Sequence, residues 1–262
     1  MEACRHENVT LHDTRCLDPT ITPSDRGVVE VRSAPKLMVV SIGADTRLLK
    51  NDETVNKHVR TVLLEAHSML HPAGTMALFV PHPWGVHLGR LQEALDSAKV
   101  GFVVEEEPLV VTYKTANGGR HAARRQNHLR PITDMILLAH HGGENFTCNE
   151  RVTPDDVFGN GSDPPTPARA VMSGVEYPGA ATDIPTRVLH FLINRFTLPG
   201  DTVFSFSAEK HSVIEVALER GRTVEVCVAS TGEKDGVSKR IEGAFLLAYK
   251  DGKFKRKHSG RS

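Results

Sequence analysis

The stretch from Tyr177 to Val203, YPGAATDIPTRVLHFLINRFTLPGDTV, joins three signals in one run. Ile184 to Phe196 reads as a helix. Leu198-Pro199-Gly200-Asp201 reads as a turn, because Pro and Gly punctuate periodic segments. Asp201 to Phe206 reads as a strand. Beyond it, Glu209 to Arg220 reads as a helix and Thr223 to Ala229 as a strand. A strand, a helix and a second strand in this order imply a parallel pair joined by a crossover.

The alternation continues upstream. Val9 to Leu11 is a short strand candidate. Lys36 to Ser41, KLMVVS, is a continuous β-branched and apolar run, the mark of a strand buried on both faces. Thr54 to Leu70 carries Val55, Val59, Val62, Leu63, Ala66 and Leu70 at helical spacing, and stops at HPAG. Thr75 to Val80 is a second buried strand. Val86 to Ala98 is a helix with Leu88, Leu91, Ala94 and Leu95 on one face. Pro108 to Lys114 and Ile132 to His140 read as strands. Asn149 to Gly174 is rich in Gly, Pro and Asp, lacks periodicity and reads as a loop. Gly243 to Tyr249 is a final strand candidate. Together these predict a doubly wound α/β domain over 1–249 with a mostly parallel sheet. The basic tail is 250–262.

The chain has 262 residues, with 32 Lys plus Arg against 32 Asp plus Glu. Overall charge therefore makes no case for a polyanionic partner, and any such case is local. Cys4, Cys16, Cys148 and Cys227 form no C-x-x-C pair, which suits a reducing compartment and argues against a zinc knuckle. No signal peptide, transit peptide or membrane-spanning run is legible. The expected location is intracellular, in nucleus or cytoplasm, with no membrane partner.

In this order the segments resemble the circularly permuted, beta-order amino-methyltransferases of DNA, the N4-cytosine and N6-adenine type. In that family the catalytic half precedes the cofactor half. VTLHDTRCL resembles the opening strand and its turn, KLMVVSIGA the catalytic strand, and LLEAHSMLHPAGTMALFV the helix, turn and strand that follow. RPITDMILLAHHGG is similar to a later strand. The core Asp183-Ile184-Pro185-Thr186-Arg187 and the Leu198-to-Asp201 turn carry most of the match, which runs from Val9 to Ala229. The resemblance implies a Rossmann-like fold that is S-adenosylmethionine-dependent methyltransferase-like. It divides the domain into a catalytic-half region at 9–148, a loop at 149–176 and a cofactor-half region at 177–249.

It also assigns sites, and those sites depart from the family pattern. Methylating a base amino group takes the base out of its stack. The family uses an Asp, Asn or Ser side chain and a proline carbonyl to accept the amino hydrogens, and an aromatic to stack on the base. Here that slot reads Ser41-Ile42-Gly43-Ala44. The serine remains. The prolines and the aromatic are absent, and stacking is worth ~1–3 kcal/mol per base in single-strand binders. The cofactor positions implied by the family are Asp183, Ser205, Ser207, Glu209 and His211. The last two replace glycines that let backbone approach the ligand. A ribose-binding acid is expected at the end of the next strand, where Val228 stands. Glu225 lies three residues early, on the opposite strand face.

Two local features bear on partners. The connection from Lys114 to Arg130 holds Lys114, Arg120, Arg124, Arg125 and Arg130 and no acid, as suits either a phosphate-contacting loop or a solvated hairpin tip. In the tail, Lys250, Lys253, Lys255, Arg256 and Lys257 surround Phe254, which suits a nucleic-acid or nuclear-import segment or a solubilising end. His82 and His87 near Trp84 lack a carboxylate or thiol ligand set, so no metal is expected. Asp163-Pro164-Pro165-Thr166 mimics the family's target motif but has no strand to aim it, and reads as a surface loop.

Three functions fit these residues. The first is a methyltransferase fold that has lost catalysis and acts as a binding or scaffolding subunit, with nucleic acid or a protein partner such as an active methyltransferase. No cofactor is then expected. The second is an active N4-cytosine-like DNA or RNA methyltransferase using Ser41 and S-adenosylmethionine. The third is a structural subunit of a large complex.

Overall fold

A computed structural model of the chain describes residues 9–13, 31, 33–41, 52–80, 88–89, 91–95, 101–105, 108–113, 133–141, 171–175, 184–206 and 212–228. In chain order these form β1 (Val9–Asp13), β2 (Leu37–Ser41), α1 (Asp52–Met69), β3 (Thr75–Val80), β4 (Phe102–Val104), β5 (Leu109–Tyr113) and β6 (Thr133–His141). They continue with β7 (Val171–Val175), α2 (Thr186–Phe196), β8 (Thr202–Ser205), α3 (Val213–Glu219) and β9 (Thr223–Val228). A further helical segment lies at 91–95, with Leu91 and Ala94 buried.

The strands make one sheet in the order β1-β9-β8-β2-β3-β6-β5-β7, with β4 pairing with β6 outside that path. The pairs β1–β9, β9–β8, β8–β2, β2–β3 and β5–β7 are parallel. Strand β6 runs antiparallel to β3, β4 and β5. The sheet is thus mostly parallel, as the alternation of elements predicts, with β6 as the reversed strand.

Helices cover both faces, and this explains the sequence patterns. Every residue of β2 and of β3 is buried, because each strand is central and sandwiched. One face packs on α1, where Val55, Val59, Val62, Leu63, Ala66 and Leu70 are all buried with Met38, Val40, Met76 and Leu78. The other face packs on α2 and α3, where Val188, Leu189, Leu192, Val213, Ile214 and Ala217 meet Leu37, Val39, Ala77, Val203 and Val224. Helix α2 starts at Thr186 rather than Ile184, because Pro185 precedes it with extended backbone (φ −57°, ψ 137°).

The segment Asn149 to Gly174 is not loop to its end, as its composition predicts, because β7 begins at Val171. VMSGV lacks strict alternation and includes Ser173 and Gly174, so its intrinsic strand signal is weak. Tertiary pairing makes the strand instead. Val110 and Val111 align with Val171 and Met172, Thr112 Oγ1 donates to the Met172 carbonyl at 3.3 Å, and Met172 and Val175 are buried. Strand β4 is likewise made by its ladder with β6.

Turns at the amino ends of the strands are closely bonded. The HPAG turn needs its glycine, since a Cβ on Gly74 would lie 2.8 Å from Leu70 Cδ1 and 2.9 Å from the His71 carbonyl oxygen. In the Leu198-to-Asp201 turn, Gly200 has φ 93°, its N–H donates to the Gly221 carbonyl at 2.8 Å, and Asp201 Oδ2 accepts from Leu198 N–H at 2.7 Å. This turn feeds β8 from below, at the opposite end of the strand from the Ser205 terminus.

Candidate functional site

The topology reverses between β8 and β2. From β2 the chain passes through α1 to β3, and from β8 it passes through α3 to β9 on the other side. The two helices cover opposite faces. In open α/β sheets, ligands bind outside the carboxyl ends of strands at such a switch point. The carboxyl ends here are Ser41 and Ser205.

These two strand ends are aligned. Val39 and Ser205 are register partners, and the Phe206 N–H donates to the Val39 carbonyl at 3.3 Å. The two strands therefore stay bonded to each other as far as Val39 and Phe206. Side chains alternate along a strand, so Ser41 shares the α2/α3 face with Leu37 and Val39, and Ser205 shares it with Val203. Ser41 is 3% exposed, and its Oγ has no hydrogen-bond partner among the described residues. A buried hydroxyl without a partner is uncommon, because its desolvation goes uncompensated. Phe206 is buried and meets Phe204 edge to face with centroids 4.9 Å apart.

On the neighbouring strand, Glu225 is fully buried midway along β9, beside Thr10 and Phe204 in register. It lies on the face of Cys227, whose side chain belongs to the α1-side core. The strand ends three residues later at Val228, and the sequence continues Ala229-Ser230-Thr231.

The remaining site readings fall outside the described residues. They are Ile42, Gly43 and Ala44, then Asp183, Ser207, Glu209 and His211, then Lys114, Arg120, Arg124, Arg125 and Arg130. So do the 163–166 motif, His82, Trp84 and His87, the 243–249 strand and the basic tail. Of the sequence-read site residues, the structure thus places Ser41 and Ser205 at the carboxyl ends of two adjacent parallel strands. What sequence reasoning missed there is that the Ser41 hydroxyl is buried with no partner among the described residues, which depends on neighbours in space and leaves no sequence signal. Among the described residues no group of three His, Cys, Asp or Glu side chains is placed to hold a metal, and no helix is long and apolar enough to cross a membrane. The displaced pKa values lie elsewhere, at His67, His71 and Arg222 near the amino ends of the central strands.

No protein-family model matches the chain, and no curated protein sequence does. Solved structures do. The putative DNA modification methylase TTHA0409 from Thermus thermophilus aligns over 90% of this chain and 95% of its own, at 16% identity and TM-score 0.61. The fold is methyltransferase-like. The cytosine-N4-specific PvuII DNA methyltransferase aligns over 92% of this chain and 91% of its own, at 12% identity and TM-score 0.62. M1.HpyAVI, solved with S-adenosylmethionine, aligns over 89% and 98% at 14% identity and TM-score 0.57. TTHA0409 has also been solved with S-adenosylmethionine.

Proposed function

We propose that this chain is a methyltransferase-fold protein that has lost catalysis and serves as a binding or scaffolding subunit, with nucleic acid or an active methyltransferase as its partner. The observation that supports this most is the sequence at the carboxyl ends of β2, β8 and β9. S-adenosylmethionine does not suit the residues there. In the sequence after β8, Glu209 and His211 stand where the family pattern has glycines that let backbone approach the ligand. The acid expected to bind the ribose is absent from the end of β9, and Glu225 is fully buried below it. The target slot after β2 retains Ser41 but lacks the prolines and the stacking aromatic. In this reading the permuted order of the two halves is inherited from an active ancestor, and the switch point between β8 and β2 is a remnant of its site.

Nucleic acid contact is assigned to the loop 114–130 and the basic tail at 250–262. The cluster Lys114, Arg120, Arg124, Arg125 and Arg130, free of acids, supports a phosphate-contacting role. Binding of single-stranded or duplex DNA or RNA, followed by fluorescence anisotropy, tests it. Affinity falls steeply with salt, and Arg124→Ala with Arg125→Ala lowers the log–log salt slope by about 0.7–0.9 per lost phosphate contact. A chain that binds no nucleic acid at low salt would refute this assignment.

One observation favours a second reading, an active amino-methyltransferase. The buried Ser41 Oγ with no partner among the described residues is an acceptor left open at the strand end where a target amino group would lie. Methyl transfer to a cytosine or adenine amino group, followed by mass spectrometry of the nucleic acid, distinguishes the two. The first reading predicts no transfer.

A further inference from the structure

At the other end of the sheet, three rings from three elements meet. His67 lies in the last turn of α1, Phe102 opens β4 and His141 ends β6. The His67 and His141 rings stand edge to face with centroids 4.4 Å apart. Phe102 meets His67 at 4.9 Å and His141 at 5.7 Å. His141 Nε2 lies 3.2 Å from the Leu70 carbonyl, which can only accept, so this nitrogen carries the hydrogen. The bond satisfies a carbonyl at the carboxyl end of α1. Backbone closes over the other ring, since a Cβ on Gly101 would sit 3.3 Å from His67 Nε2.

We propose that the His67–His141 pair is an acid-sensitive clasp that docks the end of α1 onto β4 and β6 when both rings are neutral and releases it when the pair gains protons. Two imidazolium rings at this separation repel, and no described carboxylate contacts either one. The carboxylate on β4's flank, Glu105, meets His140 Nε2 at 3.1 Å instead. His140 Nδ1 faces the His141 carbonyl oxygen at 2.9 Å. On the adjoining turn, His71 Nδ1 accepts from Lys36 Nζ and from the Ala73 N–H, each at 3.0 Å, and Asp201 acts on the same ring. Lys36, His71, His140, Glu105 and Asp201 are thus the other charged or titratable groups around the joint among the described residues.

The electrostatics agree with the geometry. Burial holds the His67 pKa below its ordinary 6.5, and the neighbouring His141 lowers it further. A histidine whose folded pKa is depressed binds more protons unfolded than folded. Its contribution is fully present above about pH 6.5 and is lost as pH falls through the folded value. Strand β4 is three residues long and is held by its ladder to β6, so the release should be read there first.

The test is amide exchange and the thermal midpoint of the full chain at about pH 7.5 and about pH 5.5, the range in which histidine titrates. The wild type is expected to lose severalfold more protection at 102–104, and more of its midpoint, on acidification than His67→Phe, which keeps a ring but cannot be protonated. His141→Gln retains a donor for the Leu70 carbonyl and predicts the same reduced acid response, so the test stands if His67→Phe folds poorly. His71→Gln is expected to leave the His67-dependent difference intact. Equal acid-induced losses in the wild type and in the folded variants would overturn the clasp.

Discussion

Arg222 is a buried guanidinium with a defined task. Its Nε donates to Thr197 Oγ1 at 2.9 Å, one terminal nitrogen to the Thr197 carbonyl at 2.7 Å, and the other to the Arg220 carbonyl. Burial lowers its pKa, Asp201 opposes that shift and Arg220 adds to it. It joins the end of α2 to the start of β9. Arg222→Met leaves two carbonyls and a hydroxyl with fewer partners, and is expected to cost about 2–4 kcal/mol in urea unfolding. Nothing in the stretch Gly221 to Val226 signals this role, because the partner is 25 residues away. Gly200, by contrast, is legible in Leu198-Pro199-Gly200-Asp201, since a Pro-Gly pair calls for a turn. Gly200→Ala at φ 93° is expected to cost about 1–2 kcal/mol by the same assay. Ser41 lies between these cases. Its place at a strand end is readable from KLMVVS, but its burial without a partner among the described residues is not. Ser41→Ala should be neutral or stabilising by up to about 1 kcal/mol if the hydroxyl is uncompensated, and destabilising by about 1–2 kcal/mol if it has a partner in the native fold.

Among elements, legibility follows burial geometry. Helix α1 buries one stripe against a sheet face, and every apolar position read at helical spacing, from Val55 to Leu70, is buried. Strands β2 and β3 are buried on both faces and show continuous apolar runs. The end strand β7 has neither signal. Its five residues include a Ser and a Gly, and a register shift between Val111 and Tyr113 marks its pairing with β5. Its anchor is Met172, 2% exposed in the core shared with α2 and α3. Met172→Ala is expected to cost about 2–4 kcal/mol, as for other buried methionines, measured by the urea midpoint. A change within about 0.5 kcal/mol would show that β7 is peripheral. Sequence reading failed here because the pairing that makes this strand is non-local and its pattern is too short to override loop-like composition.

At the scale of the molecule, repeated strand-helix-strand units made the doubly wound architecture readable, and the direction of each crossover fixes where the switch point lies. The reversed β6 was less readable, because a strand's direction is not written in its apolar pattern. The candidate site was legible as a pair of strand ends, at KLMVVS and at DTVFS. Its chemistry was legible only as departures from a family pattern. The methyltransferase-like topology and the proposed loss of the cofactor site lead to opposite expectations, since structures of similar fold have been solved with S-adenosylmethionine, while Glu209, His211 and the missing ribose acid motivate the proposal that this chain does not bind it. Calorimetric titration of the full chain with S-adenosylmethionine addresses this conflict directly. Loss of the cofactor site predicts no saturable heat at any accessible cofactor concentration, and saturable stoichiometric binding would contradict it.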